Sequence, residues 1–442
     1  MAACQAAAQM PQLGNFGFGG GPPVGLQRGS AERGLLTLTP FFAASGSYST
    51  GLGRVSLLPE GTAPKFSGAS ASAVAGVSGA HAWRRSLLGL YYGASYSHTF
   101  ENENLSGLSQ TLGLAYTKEL GRRSYCSFVA TGSMANRAFG LAGAGGLSTL
   151  DTTGLVFVDP FAPYSLQYEL LDARSYSAGF STSVGHSIGR NWMVGASGSV
   201  FLGYRNVKAL PTAITNATQG MVARRLSRRM SLVTAYSFSQ FRYDRGFGDV
   251  NSHQGMAGVT YRVDEHSTLV LMGGLMRSER IALTRVTLPA DIAAILGTSV
   301  GQEVFYGDNF FGAANASYHR RLRRASVGLS YSLSTVPGNG FYVASRSHSA
   351  AANYNRTAFR HWSLSASAGA NRYAPLMQDL KPQQSYHVSG SVGREFLNYW
   401  HISFSGGFRH ISAGNRNFVR DTGFVSVSLA FGPPGIHVPG WW

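Results

Sequence analysis

Between Ser175 and Ile188 the chain reads SYSAGFSTSVGHSI: Tyr176, Ala178, Phe180, Thr182, Val184 and Ile188 fall in one phase, and serines and glycines in the other. An alternation of period two is the signature of a strand with one apolar and one small polar face. The pattern recurs in Leu88, Leu90, Tyr92, Ala94 and Tyr96, in Val327, Leu329, Tyr331 and Leu333, and in Ile402, Phe404 and Phe408. No convincing helix interrupts it apart from a candidate turn of helix near Pro289 to Gly297. There is also no apolar run of about 18 residues or more, so helices cannot carry this chain across a membrane. Only 13% of the residues are charged, against roughly a quarter in an ordinary globular domain. Intrinsic disorder is excluded because Tyr, Phe, Val and Leu are too abundant.

The connections between alternating segments are in turn short and long. Tight ones fall at Trp83 to Ser86, Gly121 to Arg123, Gly189 to Asn191, Ser227 to Met230, Asp264 to His266, Arg320 to Arg324, Thr357 to His361 and Glu395 to Tyr399. Longer loops separate them, Phe139 to Arg174 and Glu279 to Asn309 being the largest. A strand on each side of every tight turn, plus an opening strand at Leu36 to Tyr48 and a closing strand at Thr422 to Phe431, gives about 18 strands, with 16 the nearest alternative. The expected fold is an all-β, antiparallel, up-and-down transmembrane barrel. About 18 strands leave room for an aqueous channel.

On this alternation, loop parity and aromatic content, residues 35–431 resemble bacterial outer-membrane porin-type β-barrels. The final strand, GFVSVSLAF, ends on Phe431 and resembles the terminal strand read by the outer-membrane assembly machinery. The opening MAACQAAAQ resembles the small-residue end of a signal peptide, with Ala6 to Ala8 before Gln9 as the cleavage point. The implied organisation is a Gly-rich segment over 1–34, a candidate hatch, then the barrel over 35–431 and a tail over 432–442. The resemblance implies a bacterial outer-membrane location, with tight turns periplasmic and long loops extracellular.

The net charge is +17, and with only Lys65, Lys118, Lys208 and Lys381 as lysines it is an arginine charge. Arg84, Arg85, Arg122, Arg123, Arg190, Arg228, Arg229, Arg320, Arg321, Arg323, Arg324 and Arg360 lie at or beside tight turns, whereas most acids lie in long loops. Trp83, Trp192, Trp362 and Trp400 flank tight turns and form an expected aromatic girdle. Arginines beside tryptophans at one rim suit lipid headgroups or an electropositive mouth for anions better than they suit nucleic acid, which is not an expected partner. The strand faces opposite the apolar phase are mostly Gly, Ser, Ala and Thr, so the lumen reads as bare, narrowed by an infolded loop, closed by the N-terminal hatch, or occupied by a partner.

Cys4 and Cys126 form no metal or disulfide pattern, and no nucleotide-binding or hydrolase motif is present. No cofactor is expected. One local pattern stands out: Phe408, His410, Ser412 and Gly414 in FRHISAG resemble the His-x-Ser pair of outer-membrane lipid A deacylases. The resemblance would make His410 the general base on Ser412, but Ala413 stands where that family has Asn, and the sequence identifies no acidic partner. The leading expectation is a non-enzymatic pore for diffusion or export of small hydrophilic solutes, anions among them. The alternatives are an exopolysaccharide secretion channel, a barrel sheathing a partner protein and, last, the lipid A esterase. Expected partners are outer-membrane lipids, small solutes or an exported polymer, a protein in the lumen or periplasm, and further copies of the chain.

Overall fold

A computed structural model describes residues 35–52, 66–100, 106–135, 174–205, 212–244, 248–287, 291, 300–337, 343–358, 362–376, 382–396, 399–413, 418–432 and 436–439. Nearly all of them are strand. In chain order these are β1 (Leu35–Leu52), β2 (Phe66–Ala82), β3 (Ser86–Thr99), β4 (Gly107–Glu119), β5 (Ser124–Ala135), β6 (Ser175–Ile188), β7 (Trp192–Arg205), β8 (Ala213–Arg225) and β9 (Met230–Tyr243). They continue as β10 (Gly248–Arg262), β11 (Ser267–Thr287), β12 (Val300–Arg321), β13 (Ala325–Pro337), β14 (Ala344–Ala358), β15 (Trp362–Pro375), β16 (Gln383–Phe396), β17 (Trp400–Ala413), β18 (Phe418–Phe431) and the four-residue β19 (Ile436–Pro439).

Each strand from β1 to β18 pairs antiparallel with its sequence neighbours, and β1 closes the ring on β18 through Phe42↔Phe431 to Ser49↔Phe424. The result is a closed barrel of 18 strands, in which every junction is paired and only the β12–β13 one opens towards the long-loop end. Closure pairs the backbone across the strands, which is the condition for a β structure in hydrocarbon. β19 runs beside the start of β1, Leu38↔Ile436 to Leu35↔Pro439. The eight tight turns expected from sequence are the connections β2–β3, β4–β5 and so on to β16–β17.

The barrel is apolar outside. Phe180, Val200, Leu271, Phe404, Phe408, Val425 and Val427 are all exposed, Val425 by 61%, and each belongs to the phase that the sequence alternation marks as apolar. A continuous exposed apolar band is a liability on a water-soluble surface and the normal exterior of a barrel seated in a bilayer. The opposite phase faces the lumen.

Two expectations need revision. The stretch Glu279 to Asn309 is not one long loop. β11 runs on to Thr287 and β12 starts at Val300, paired from Thr287↔Val300 down to Ser267↔Arg320. Charged residues suggested a loop there, but they pair on the outer face of the ribbon: Arg277 bonds Asp308 of β12 at 2.9 Å and Glu279 of its own strand at 2.8 Å. The expected turn of helix near Pro289, the 139–173 part of the other long loop, and the N-terminal 1–34 segment lie outside the described residues, Asp291 apart.

The second revision concerns the lumen. β12 pairs with β13 only from Ala314↔Leu333 to Arg321↔Ser326. Beyond that point β13 parts from β12, and the top of the β13–β14 hairpin, still paired with β15 up to Ser345↔Pro375, folds inward beneath the β11–β12 ribbon. Thr335, in the outward phase of β13, donates to the sulfur of Met276 in the inward phase of β11 at 3.1 Å. Val343 and Ala344 are buried in one cluster with Ala213, Phe241, Tyr243, Val250 and Ala282, and Leu376 packs against it. Gly248 makes this possible: its φ is +150°, and a Cβ there would press on the Ile281 carbonyl oxygen and on Val343. Among the described residues, therefore, the long-loop end of the barrel is two layers thick on one side.

Candidate functional site

Three places could carry function: the lumen wall, the rim at the tight turns, and the outer face around His410. The lumen wall is built by the small phase of the alternation. In register across six strands stand Ser365, Ser391, Ser405, Ser426, Ser47 and Ser70, and beside them runs a second row of Ser403, Ser428, Ser45, Ser72 and Ser97. Their hydroxyls pair between strands: Ser365 with Ser391 at 2.6 Å, Ser405 with Ser426 at 2.5 Å, Ser47 with Ser70 at 2.7 Å and Ser45 with Ser72 at 2.6 Å. A hydroxyl keeps acceptor capacity after donating once, so these rows form a polar wall that is satisfied yet still able to bond water or a polar solute. The wall is not only serine. Phe41 and Tyr91 stack in the lumen phase with centroids 5.8 Å apart, and Arg280, His387, His401 and Arg409 also lie in that phase. Composition could not reveal these, because phase and register decide which few large side chains enter the barrel.

At the opposite end, Arg84 and Arg85, Arg122 and Arg123, Arg190, Arg228 and Arg229, and Arg323 and Arg324 occupy tight turns, and Arg320 and Arg321 end β12; all are exposed. Arg360 lies outside the described residues. Trp83, Trp192, Trp362 and Trp400 stand at the same end, two of them joined by arginines that sequence reading did not single out. The Arg224 guanidinium lies 5.1 Å from the Trp192 ring centre and Arg394 5.2 Å from that of Trp362. These pairs point outward, where a cation over an indole meets both the apolar band and its polar border. In the β10–β11 turn, Asp264 accepts from the His266 N–H at 2.7 Å and from the Ser267 hydroxyl at 3.0 Å. Those bonds, with a smaller contribution from Arg320, hold its carboxyl below the usual carboxylate range.

No protein-family model matches the sequence, and no curated protein matches it. Among solved structures the chain is similar to a BenF-like porin from Pseudomonas fluorescens Pf-5, with a TM-score of 0.42 and 7% identity over 90% of this chain and 99% of that one. It is similar to Acinetobacter baumannii OccAB4, with a TM-score of 0.41 and 9% identity over 90% and 98%. Pseudomonas aeruginosa OpdQ gives a TM-score of 0.40 and 8% identity over 90% and 98%.

On the outer face near the long-loop end, the register sets His410 opposite Asp421. The His410 Nδ1 lies 2.6 Å from the Asp421 carboxylate. The acidic partner that the sequence did not identify is thus present, on the next strand rather than nearby in the chain. Ser412 sits two residues from His410 in the same outward phase, on β17. The Tyr386 ring lies 6.1 Å from the imidazole. A carboxylate at Nδ1 fixes the tautomer that leaves Nε2 free to accept a proton.

Proposed function

We propose that the protein is an outer-membrane pore for passive diffusion or export of hydrophilic solutes, with anions favoured. The observation that supports this reading is the combination of a closed 18-strand ring, an apolar exterior and serine rows on the interior. A ring of that size encloses more space than its own small wall residues fill. The tight-turn rim faces the periplasm in this reading and the long-loop end faces outside. Some thirteen arginines around the periplasmic mouth, counting Arg224 and Arg394, would raise the local anion concentration by focusing the field. No group in the pore is asked to do chemistry.

Planar-bilayer recording tests this. The purified protein should give large, stepwise conductance with anion preference in a salt gradient. The variant with Arg320, Arg321, Arg323 and Arg324 all replaced by glutamine should shift the reversal potential toward zero, more so at low salt, where screening is weak. An unshifted reversal potential would assign these arginines to lipid headgroups alone. A silent barrel would favour an exopolysaccharide exporter with an occupied lumen or a sheath around a partner protein.

A second reading is favoured by one observation, the 2.6 Å His410–Asp421 pair beside Ser412. In it Ser412 attacks an ester of lipid A from the lipid-facing side, with His410 as general base and Asp421 as its orienting acid. Wild-type protein should then release fatty acid from purified lipopolysaccharide, and His410→Ala should lower the rate by about two orders of magnitude or more. Absence of release by the wild type ends this reading without touching the pore.

A further inference from the structure

The overlap of the β13–β14 hairpin with the β11–β12 ribbon buries an unbalanced positive charge. Arg280, in the inward phase of β11, is only 5% exposed, and its guanidinium lies 5.0 Å from the Phe305 ring centre. Its Nε and Nη1 have no hydrogen-bond partner. Gly307 stands directly opposite, and a Cβ there would overlap the Arg280 Nε. One step along the same face is Ser278, 0% exposed, whose hydroxyl has no partner. Its cross-strand neighbour Asn309 presents an amide Nδ2 that is also unpartnered. From the facing layer comes Arg346, paired with Thr335 on β13. Its guanidinium lies 6.0 Å from the Phe311 ring centre, and its Nε is unpartnered too.

Every one of these groups can donate, two are permanent cations, and among the described residues no carboxylate pairs with Arg280 or Arg346. The nearby acids are committed elsewhere: Glu279 and Asp308 project from the other face of the ribbon and bind Arg277. Glu303, in the same phase as Gly307 but four residues away, is exposed. A buried guanidinium with idle donors is costly unless an anion meets it. A planar fork of N–H groups matches the two oxygens of a carboxylate or phosphate, and the phenyl faces of Phe305 and Phe311 keep the two forks oriented.

We propose that the space between the two layers is a binding site for a small oxyanion, the carboxylate or phosphate group of a solute, held by Arg280, Arg346, Ser278 and Asn309. The site lies where the barrel is narrowed, so it would select among the anions that the rim gathers. This extends the anionic reading of the pore but is measured without it: binding is read in detergent solution, so a silent barrel leaves the site standing, and an open pore that binds nothing overturns the site alone.

The test is calorimetric titration of the solubilised full chain with inorganic phosphate and, separately, acetate at constant ionic strength. Binding of at least one is expected, weakened about tenfold or more by Arg280→Gln and by Arg346→Gln. Lys118→Gln, at the tight-turn end of β4, should change it less than about twofold. Since loss of Arg280 could perturb the fold, Asn309→Asp provides the converse: a carboxylate supplied from the chain should abolish phosphate and acetate binding and raise the midpoint of thermal unfolding. The proposal is overturned if neither anion binds the wild type, if binding is indifferent to Arg280 and Arg346, or if Asn309→Asp binds as before.

Discussion

Replacing Phe180 by arginine is expected to destabilise the barrel by about 2–4 kcal/mol, the cost of a cation near the bilayer midplane on a lipid-facing strand. Phe180 lies near the middle of β6 and is 48% exposed. It continues an aromatic run across β4, β5 and β6, with Tyr116 and Phe128 centroids 6.4 Å apart and Phe128 and Phe180 6.5 Å apart. In water such a surface would gain by accepting a charge. In hydrocarbon it loses, because the guanidinium must drag water inward or reach for a distant rim. The control is Ser197→Arg on β7, which adds the same charge to the lumen phase and should change stability by less than about 1 kcal/mol. Urea unfolding in lipid vesicles, followed by heat-modifiable gel migration, measures both. Equal losses for the two variants would mean that the faces have been assigned the wrong way round.

That assignment was legible in the sequence because it rests on a local rule. Tyr176, Phe180, Val184 and Ile188 must share a face wherever the strand goes, and a one-residue slip would turn all of them into the lumen. The tight turns were legible for a similar reason, since pairs such as Gly189 and Arg190 break the alternation where the chain reverses. What depends on pairing partners was not legible. Arg277, Glu279 and Asp308 look like loop residues until β11 and β12 align and Arg277 meets both carboxylates. Asp421 is eleven residues from His410 along the chain, and only the β17–β18 register brings the two together. The same holds for Arg280 and Arg346, which belong to different hairpins and lie against Phe305 and Phe311 of one strand, β12, because β12 parts from β13 above Ala314.

This parting also decides what a core mutation should do. Phe241→Ala removes a side chain 1% exposed from the cluster that pins the β13–β14 hairpin, alongside Val250 at 0%. A buried Phe→Ala change costs about 3–5 kcal/mol when the cavity cannot collapse. In most barrels that loss would be shared by a hydrogen-bonded ring. Here the top of the hairpin has parted from β12, stays bonded to β15 up to Ser345↔Pro375, and is held against β8–β11 by this apolar contact, so the loss should appear as local opening on the β12 side. Amide exchange of residues 343–347 should accelerate by about a hundredfold to a few thousandfold, while protection in β16, β17 and β18, across the barrel, stays at the wild-type level. Because the hairpin adds a second layer inside the long-loop end, conductance of an open pore should rise in the same variant. Uniform acceleration around the ring, or none at 343–347, would show that the overlap is not held by this cluster; a local opening with unchanged conductance would place the narrowest point of the lumen elsewhere.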